Sequence, residues 1–288
     1  VIVLGAASCL SFGDLSGGDT DAGADDASSD DAQTNDAASI ADGANVDGGF
    51  DASEYDAGPC GSGTEPAVRV GSGPSSFCID QTEVTVLQYR HFLSALDAGL
   101  TTITQPPECS WNTNVLAGVG RTDLFAPIYG VDWCDAYAYC AYAGQRLCGK
   151  IGGGALPISA LGDPSSSQWL QACSLAPDGG LQQYPYGNTA SATACNGAER
   201  DAGKVVNVAT LPECDGGAPG IFDMSGNVDE WIDSCASATG STDCCLSVGG
   251  GYHDTETSCG IGDTFGGDCP GRTRADAHTD LGFRCCSD

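Results

Sequence analysis

Between Leu10 and Pro59 the apolar positions follow no period, whereas from Ala67 onward they recur at spacings that specify elements. Tyr89, Phe92, Leu93 and Leu96 stand at i, i+3, i+4 and i+7 behind Thr85, which predicts an amphipathic helix with a threonine cap. His91 falls off that stripe and is expected at the surface. The short apolar run from Phe77 to Asp80 reads as a strand. A second helix is predicted between Asp132, a capping residue, and Gly144, which can end it in a left-handed turn. A third, short helix is predicted from Asp163 as cap and Pro164 as first helical residue through Cys173. No regular pattern runs longer, and 42 glycines are scattered at turn-like intervals. The pattern implies an irregular, loop-rich α+β domain.

Composition divides the chain. Residues 10–59 hold twelve aspartates and Glu54, and no Lys or Arg occurs before Arg69. Such a segment has too little apolar surface to offset the entropy of ordering, so residues 9–59 are expected to be a solvated acidic linker before a domain over residues 60–288. The linker carries −13 of the formal net charge of −29, which leaves −16 on the domain. A surface this acidic excludes phosphate-backbone recognition, so no nucleic-acid partner is expected. The apolar and small residues Val1 to Ser8, followed by Cys9, resemble the end of a bacterial lipoprotein signal peptide. On that reading Cys9 carries lipid, the membrane is a partner through that anchor, and the protein lies in the cell envelope, periplasmic or surface-exposed.

Seventeen cysteines point to an oxidising compartment. Lipid on Cys9 leaves sixteen, all from Cys60 onward, an even set able to close eight bridges and staple a loop-rich domain. Thiolate zinc is not expected, because no C-x2-C spacing occurs.

Three segments then fall in register. Ile221-Phe-Asp-Met-Ser-Gly-Asn227-Val-Asp-Glu230-Trp231, Val248-Gly-Gly-Gly-Tyr252 and Leu281-Gly-Phe-Arg-Cys285 resemble DMxGNVWEW, RGGSY and GFRC, the ordered C-terminal signature of the formylglycine-generating enzyme (sulfatase-modifying factor) family. Cys140 to Leu147 and Tyr184-Pro-Tyr-Gly-Asn188 resemble earlier blocks of the same family. The resemblance implies a C-type-lectin-like fold, bridges Cys140 to Cys285 and Cys173 to Cys269, and structural calcium held by Asn227 and Glu230 at one place and Asn196 at another. Oxygen ligands of that kind suit calcium.

The departures bear on activity. Active members of the family use copper held by two cysteines, two and seven residues beyond the Tyr of RGGSY; here these positions are Asp254 and Cys259. Copper(I) prefers soft sulfur, so a carboxylate in place of one thiolate makes copper an improbable cofactor. The Arg and Ser of RGGSY are Val248 and Gly251, and the first Trp of WEW is Asp229. These changes favour a binding or structural module at the cell surface, with a peptide, protein or glycan ligand. The alternatives are a copper oxidoreductase acting on a peptide cysteine through Cys259, and a carbohydrate-binding, lectin-like module. Adjacent residues on an extended strand face opposite ways, so His253 and Asp254 are not expected to line one pocket.

Overall fold

The computed structural model describes residues 60, 66–115, 121–176, 178–200, 202–255, 257–260 and 271–288. Cys9, the acidic segment 9–59 and Cys269 lie outside the described residues. The first two helices form where caps and stripes predict them. Helix α1 spans Val86–Asp97, with the Thr85 side chain accepting from the Gln88 N–H while the Gln88 side chain accepts from the Thr85 N–H. Helix α2 spans Trp133–Tyr142 under the same reciprocal arrangement between Asp132 and Asp135, and the chain leaves it through Gly144 at φ 75°. Their buried faces meet where Tyr89 stacks on Tyr139, ring centroids 5.6 Å apart, with Phe283 edge-on at 5.4 Å from Tyr139.

The third helix starts later than the sequence suggests. Asp163 spends its carboxylate on the Ser165 N–H and on the Ser165 and Ser166 hydroxyls, closing a local turn. Ser167 therefore becomes the cap, and α3 spans Gln168–Ser174.

Among the described residues eight short strands complete the fold: β1 Ala67–Val70, β2 Phe77–Asp80, β3 Arg146–Leu147, β4 Asp229–Cys235, β5 Cys244–Val248, β6 Arg272–Thr273, β7 Leu281–Phe283 and β8 Cys285–Ser287. They form two four-stranded sheets, ordered β1-β2-β8-β3 and β6-β5-β4-β7. The C-terminal strand crosses from one sheet to the other at Arg284: β7 pairs parallel with β4, and β8 pairs antiparallel with β2 and β3. Because side chains alternate along β4, Trp231 enters the core that holds α1 and α2. Its neighbour Ile232 enters a second core with Phe77, Trp169, Met224 and Leu246. The strand thus joins two hydrophobic layers that short helices alone would leave separate.

Disulfides take the place of long regular elements. Adjacent Cys285 and Cys286 face opposite ways and bond to Cys140 (2.01 Å) and Cys148 (2.05 Å) respectively. These bridges span 145 and 138 residues of sequence, and each taken singly is worth about 5 kcal/mol of denatured-state restriction in the chain-entropy view. Cys60–Cys78, Cys109–Cys134, Cys173–Cys259, Cys195–Cys214 and Cys235–Cys245 are also closed, and Cys244 is disulfide-bonded as well. Bridges in this number belong to an oxidising, extracytoplasmic compartment. Among the described residues no helix is long and apolar enough to cross a membrane.

Candidate functional site

The signature tract is shaped by backbone that few residues tolerate. Asp223, Gly226 and Asn227 all sit at positive φ (61°, 81° and 66°), curling the chain inward before β4 begins. At Gly226 any Cβ would lie 2.5 Å from the Asn196 carbonyl oxygen, so glycine is required there.

Asp229 opens β4, and the parallel partner β7 brings Asp280 beside it, the Asp229 N–H donating to the Asp280 carbonyl at 2.7 Å. The loop after β5 closes over the pair. Gly250 N–H donates to Asp229 Oδ1 at 3.0 Å, and Gly251 N–H donates to Asp254 Oδ2 at 2.6 Å. Asp229, Asp254 and Asp280 each offer one carboxylate oxygen, and these oxygens lie within 4.8 Å of one another. Arg272 on β6 reaches in with Nη2 at 3.2 Å from Asp229 Oδ2 and 3.8 Å from Asp280 Oδ2. Half-exposed His253 caps the outer edge, its Nε2 at 3.3 Å from Asp280 Oδ2 and 3.8 Å from Asp254 Oδ1. Burial pushes Asp229 up to about 7, and the Asp254 and Asp280 charges add to the rise while Arg272 opposes it.

Three departures from the family signature therefore meet at one place. Asp229 stands for a tryptophan and Asp254 for a cysteine, and Gly251, which stands for a serine, leaves the room Asp280 needs. A Cβ on residue 251 would lie 3.0 Å from Asp280 Oδ2 and 3.1 Å from its Cβ. The expectation that His253 and Asp254 diverge is corrected, because residues 252, 253 and 255 lie in turns, the segment is not extended strand, and both side chains approach Asp280.

On the opposite face of β4 lies a second polar cluster. Glu230 accepts from Arg284 Nε at 2.7 Å and Nη2 at 2.7 Å, and from Trp169 Nε1 at 2.8 Å. Arg284 also donates to the Asp80 and Phe222 carbonyls. Asn227 donates to Glu83 Oε1 at 2.9 Å, and its Oδ1 accepts from Asn196 Nδ2 at 3.0 Å and Val206 N–H at 2.9 Å. Burial, reinforced by the Asp223 charge, holds Glu83 well above the usual carboxylate range; burial pushes Asp223 up to about 6. Calcium was expected on Asn227, Glu230 and Asn196. Glu230 is engaged by a guanidinium and the Asn227 oxygen by two donors, so neither offers an open ligand; of the three, Asn196 Oδ1 alone is buried without a hydrogen-bond partner. The residues present do not fit calcium at the Asn227–Glu230 position.

Cys259 is bonded to Cys173 at 2.04 Å. This corrects the pairing of Cys173 with Cys269 and removes Cys259 as a free nucleophile. Counting along the signature puts Cys259 at the second copper position, while in space it is a structural staple between α3 and the loop after β5. With Asp254 at the other position, the donor set offers no thiolate and does not fit copper(I). Sequence reading missed Arg272, Asp280 and Glu83. The only local signal was an aspartate directly preceding the Leu-Gly-Phe-Arg run, and its partner Asp229 lies 51 positions away in the sequence.

Two sheets crossed by one terminal strand, with a buried Glu–Arg pair at the crossing, are accompanied by a match over residues 24–288 to the family described as sulfatase-modifying factor enzyme 1-like domain. The chain belongs to that family, and its fold is an irregular α+β architecture of short helices and strands. Among curated relatives, the "Inactive C-alpha-formylglycine-generating enzyme 2" of Mus musculus is 29% identical over 194 residues, 63% of this chain and 56% of that protein. The protein of the same name from Bos taurus is 30% identical over 192 residues, 62% of this chain and 56% of its own. The chain thus spans little more than half the length of the curated relatives it matches. Among solved structures, CarF is similar with a TM-score of 0.48 and 21% identity, over 74% of this chain and 86% of CarF. PvdO from Pseudomonas aeruginosa is similar with a TM-score of 0.46 and 17% identity, over 78% of this chain and 89% of PvdO.

Proposed function

We propose that this protein is an exported, lipid-anchored module of the sulfatase-modifying-factor type that does not generate formylglycine and acts at the cell surface by binding. One observation carries the reading: Asp254 replaces one sulfur of the copper pair while Cys259 is held by Cys173 at 2.04 Å. Cysteine oxidation by the family's chemistry needs both sulfurs as soft ligands, and neither is on offer. The naming of the mammalian relatives as inactive supports the same conclusion.

Beside the Cys173–Cys259 bridge a cleft of about 250 Å³ is lined by Leu161, Trp169, Leu170, Leu181, Val248 and Cys259. It suits one apolar side chain of a peptide, being smaller than the roughly 300–1,000 Å³ of ordinary ligand pockets. A glycan-binding reading has a different observation in its favour, a polar cleft of about 450 Å³ lined by Trp111, Asn112, Asn114, Asp132 and Asp135.

The test is incubation of the whole, oxidised protein with copper(I), oxygen and a cysteine peptide, followed by mass analysis for the aldehyde. No aldehyde and no alkylatable Cys259 are expected; stoichiometric aldehyde on the peptide would defeat the proposal. Replacing Cys9 by serine should release the protein from membranes, and glycan arrays run with the same preparation decide between the two clefts.

A further inference from the structure

Among the described residues, three carboxylates that no long-range sequence pattern joins converge at one place. We propose that Asp229, Asp254 and Asp280 together bind a single hard divalent cation, calcium best of all, Asp254 standing at one of the two positions where active relatives carry a copper-binding cysteine. The inference goes beyond the reading of a binding module. A chain without formylglycine chemistry need not bind a cation, and a chain with a cation site need not lack that chemistry.

Four features of the site carry it. The three ligand oxygens lie within 4.8 Å of one another, and oxygens on opposite sides of one calcium ion stand about 4.6–5.2 Å apart, twice the usual Ca–O distance. All three oxygens are therefore close enough to share one calcium ion. Second, Asp280 is almost wholly buried and its Oδ2 has no hydrogen-bond partner, although it points at the other two carboxylates. A buried carboxylate oxygen left without a donor is costly unless something cationic completes it. The groups already near it, Arg272 Nη2 at 3.8 Å and His253 Nε2 at 3.3 Å, make ion pairs without a hydrogen bond. Third, three carboxylates against the Arg272 guanidinium leave two negative charges, the complement of a divalent ion.

Access is the fourth feature. Asp254 side chain is 15% exposed and His253 side chain 49% exposed, so the outer edge of the cluster opens to solvent while Asp229 and Asp280 line its floor. Asp229 Oδ1 and Asp254 Oδ2 are fixed by the Gly250 and Gly251 N–H groups, and Asp229 Oδ2 is oriented by Arg272 Nη2 at 3.2 Å. These amides hold the carboxylates in place before the ion arrives, and that preorganisation lowers the entropy lost on binding. Oxygen-only ligation excludes a return to copper(I) and disfavours zinc.

The experiment uses the full chain with its disulfides closed, stripped with a chelator, then titrated with calcium chloride by calorimetry and with terbium chloride by luminescence. Tyr252, packed edge-on to His253 at 5.0 Å between ring centroids, is placed to sensitise a terbium ion at this site. One ion per chain is expected, with affinity reduced at least tenfold in Asp254→Asn and terbium emission lost with it. Asn196→Ala, which removes the open oxygen on the other face of β4, should leave both signals unchanged. Circular dichroism and an intact Cys173–Cys259 bridge establish that each variant folds. Equal affinity in Asp254→Asn and wild type, loss confined to Asn196→Ala, or no binding by the wild type each overturn the proposal. Aldehyde formation on a cysteine peptide would refute the proposed function and leave this titration unaffected.

Discussion

On either side of β4 the protein buries the same charges in opposite arrangements. One face holds Glu83, Asp223 and Glu230 with Arg284; the other holds Asp229, Asp254 and Asp280 with Arg272. The first cluster is sealed, its four members being 0–1% exposed. Burial, reinforced by the Asp223 charge, holds Glu83 well above the usual carboxylate range, and the guanidinium is engaged by Glu230 and backbone carbonyls. The second cluster converges on a point and opens at His253 and Asp254. Equal counts of acids and bases thus make a structural lock on one face and a receptive site on the other; convergence and access, not composition, separate them.

The largest effect should come from the lock. Arg284→Ala strips three buried carboxylates of their shared counter-charge, and breaking a buried pair in this way costs about 3–5 kcal/mol. The variant is expected to accumulate as misoxidised species on non-reducing gels. Arg284→Lys should recover part of the loss but not all, since a point charge cannot serve Glu230 and the Phe222 carbonyl with one planar fork. A fully stable Arg284→Ala would show that the two faces are not different in kind.

Next comes acidity. A carboxylate whose pKa is higher folded than unfolded binds its proton more tightly in the fold, so stability is greatest in acid and falls as pH rises between the two values. Asp229 at about 7 against an ordinary value of 3.8 places that window between about pH 4 and pH 7, and Asp223 at about 6 adds to its lower part. In chelator, urea midpoints should decline across this window, with Asp229 alone accounting for a stability difference on the order of 4 kcal/mol. Calcium added at pH 7.5 should restore part of it through the open face alone. Stability that rises steadily from pH 4 to 7 in chelator would contradict the assignment.

Cys259→Ser tests whether that sulfur serves structure or chemistry. Its bridge spans 86 residues of sequence, so opening it should cost about 2–4 kcal/mol and leave Cys173 alkylatable. No gain of oxidase activity is expected from Asp254→Cys, because the second sulfur remains tied to Cys173.

What could be read from sequence was local. Helix α1 was legible from its cap and stripe and α2 from its cap and terminal glycine, signals that act within a few residues, and the strand at Phe77–Asp80 because its apolar run is short and bounded. The start of α3 was misread because Asp163, a good cap by type, found nearer donors in Ser165 and Ser166. The site was half legible. Its departures at Asp229, Gly251 and Asp254 stood out against the family signature, but each looked like a loss. Their convergence depends on the parallel pairing of β4 with β7, a register between distant segments that no short-range pattern encodes.

The smallest predicted effect is the most specific to that convergence. Gly251 has ordinary backbone angles, so only space forbids a side chain there, and the space is taken by the Asp280 Cβ and Oδ2 at 3.1 and 3.0 Å. Gly251→Ala should therefore cost about 1–3 kcal/mol, as overpacking of a rigid site does. In the background Asp280→Ala the same substitution should cost much less, because the obstructing carboxylate is gone. A double-mutant cycle read from urea midpoints in chelator gives the coupling directly, with an expected magnitude of about 1–2 kcal/mol. If the two substitutions add without coupling, the glycine is incidental, and the departures from the signature are separate losses rather than parts of one rebuilt site.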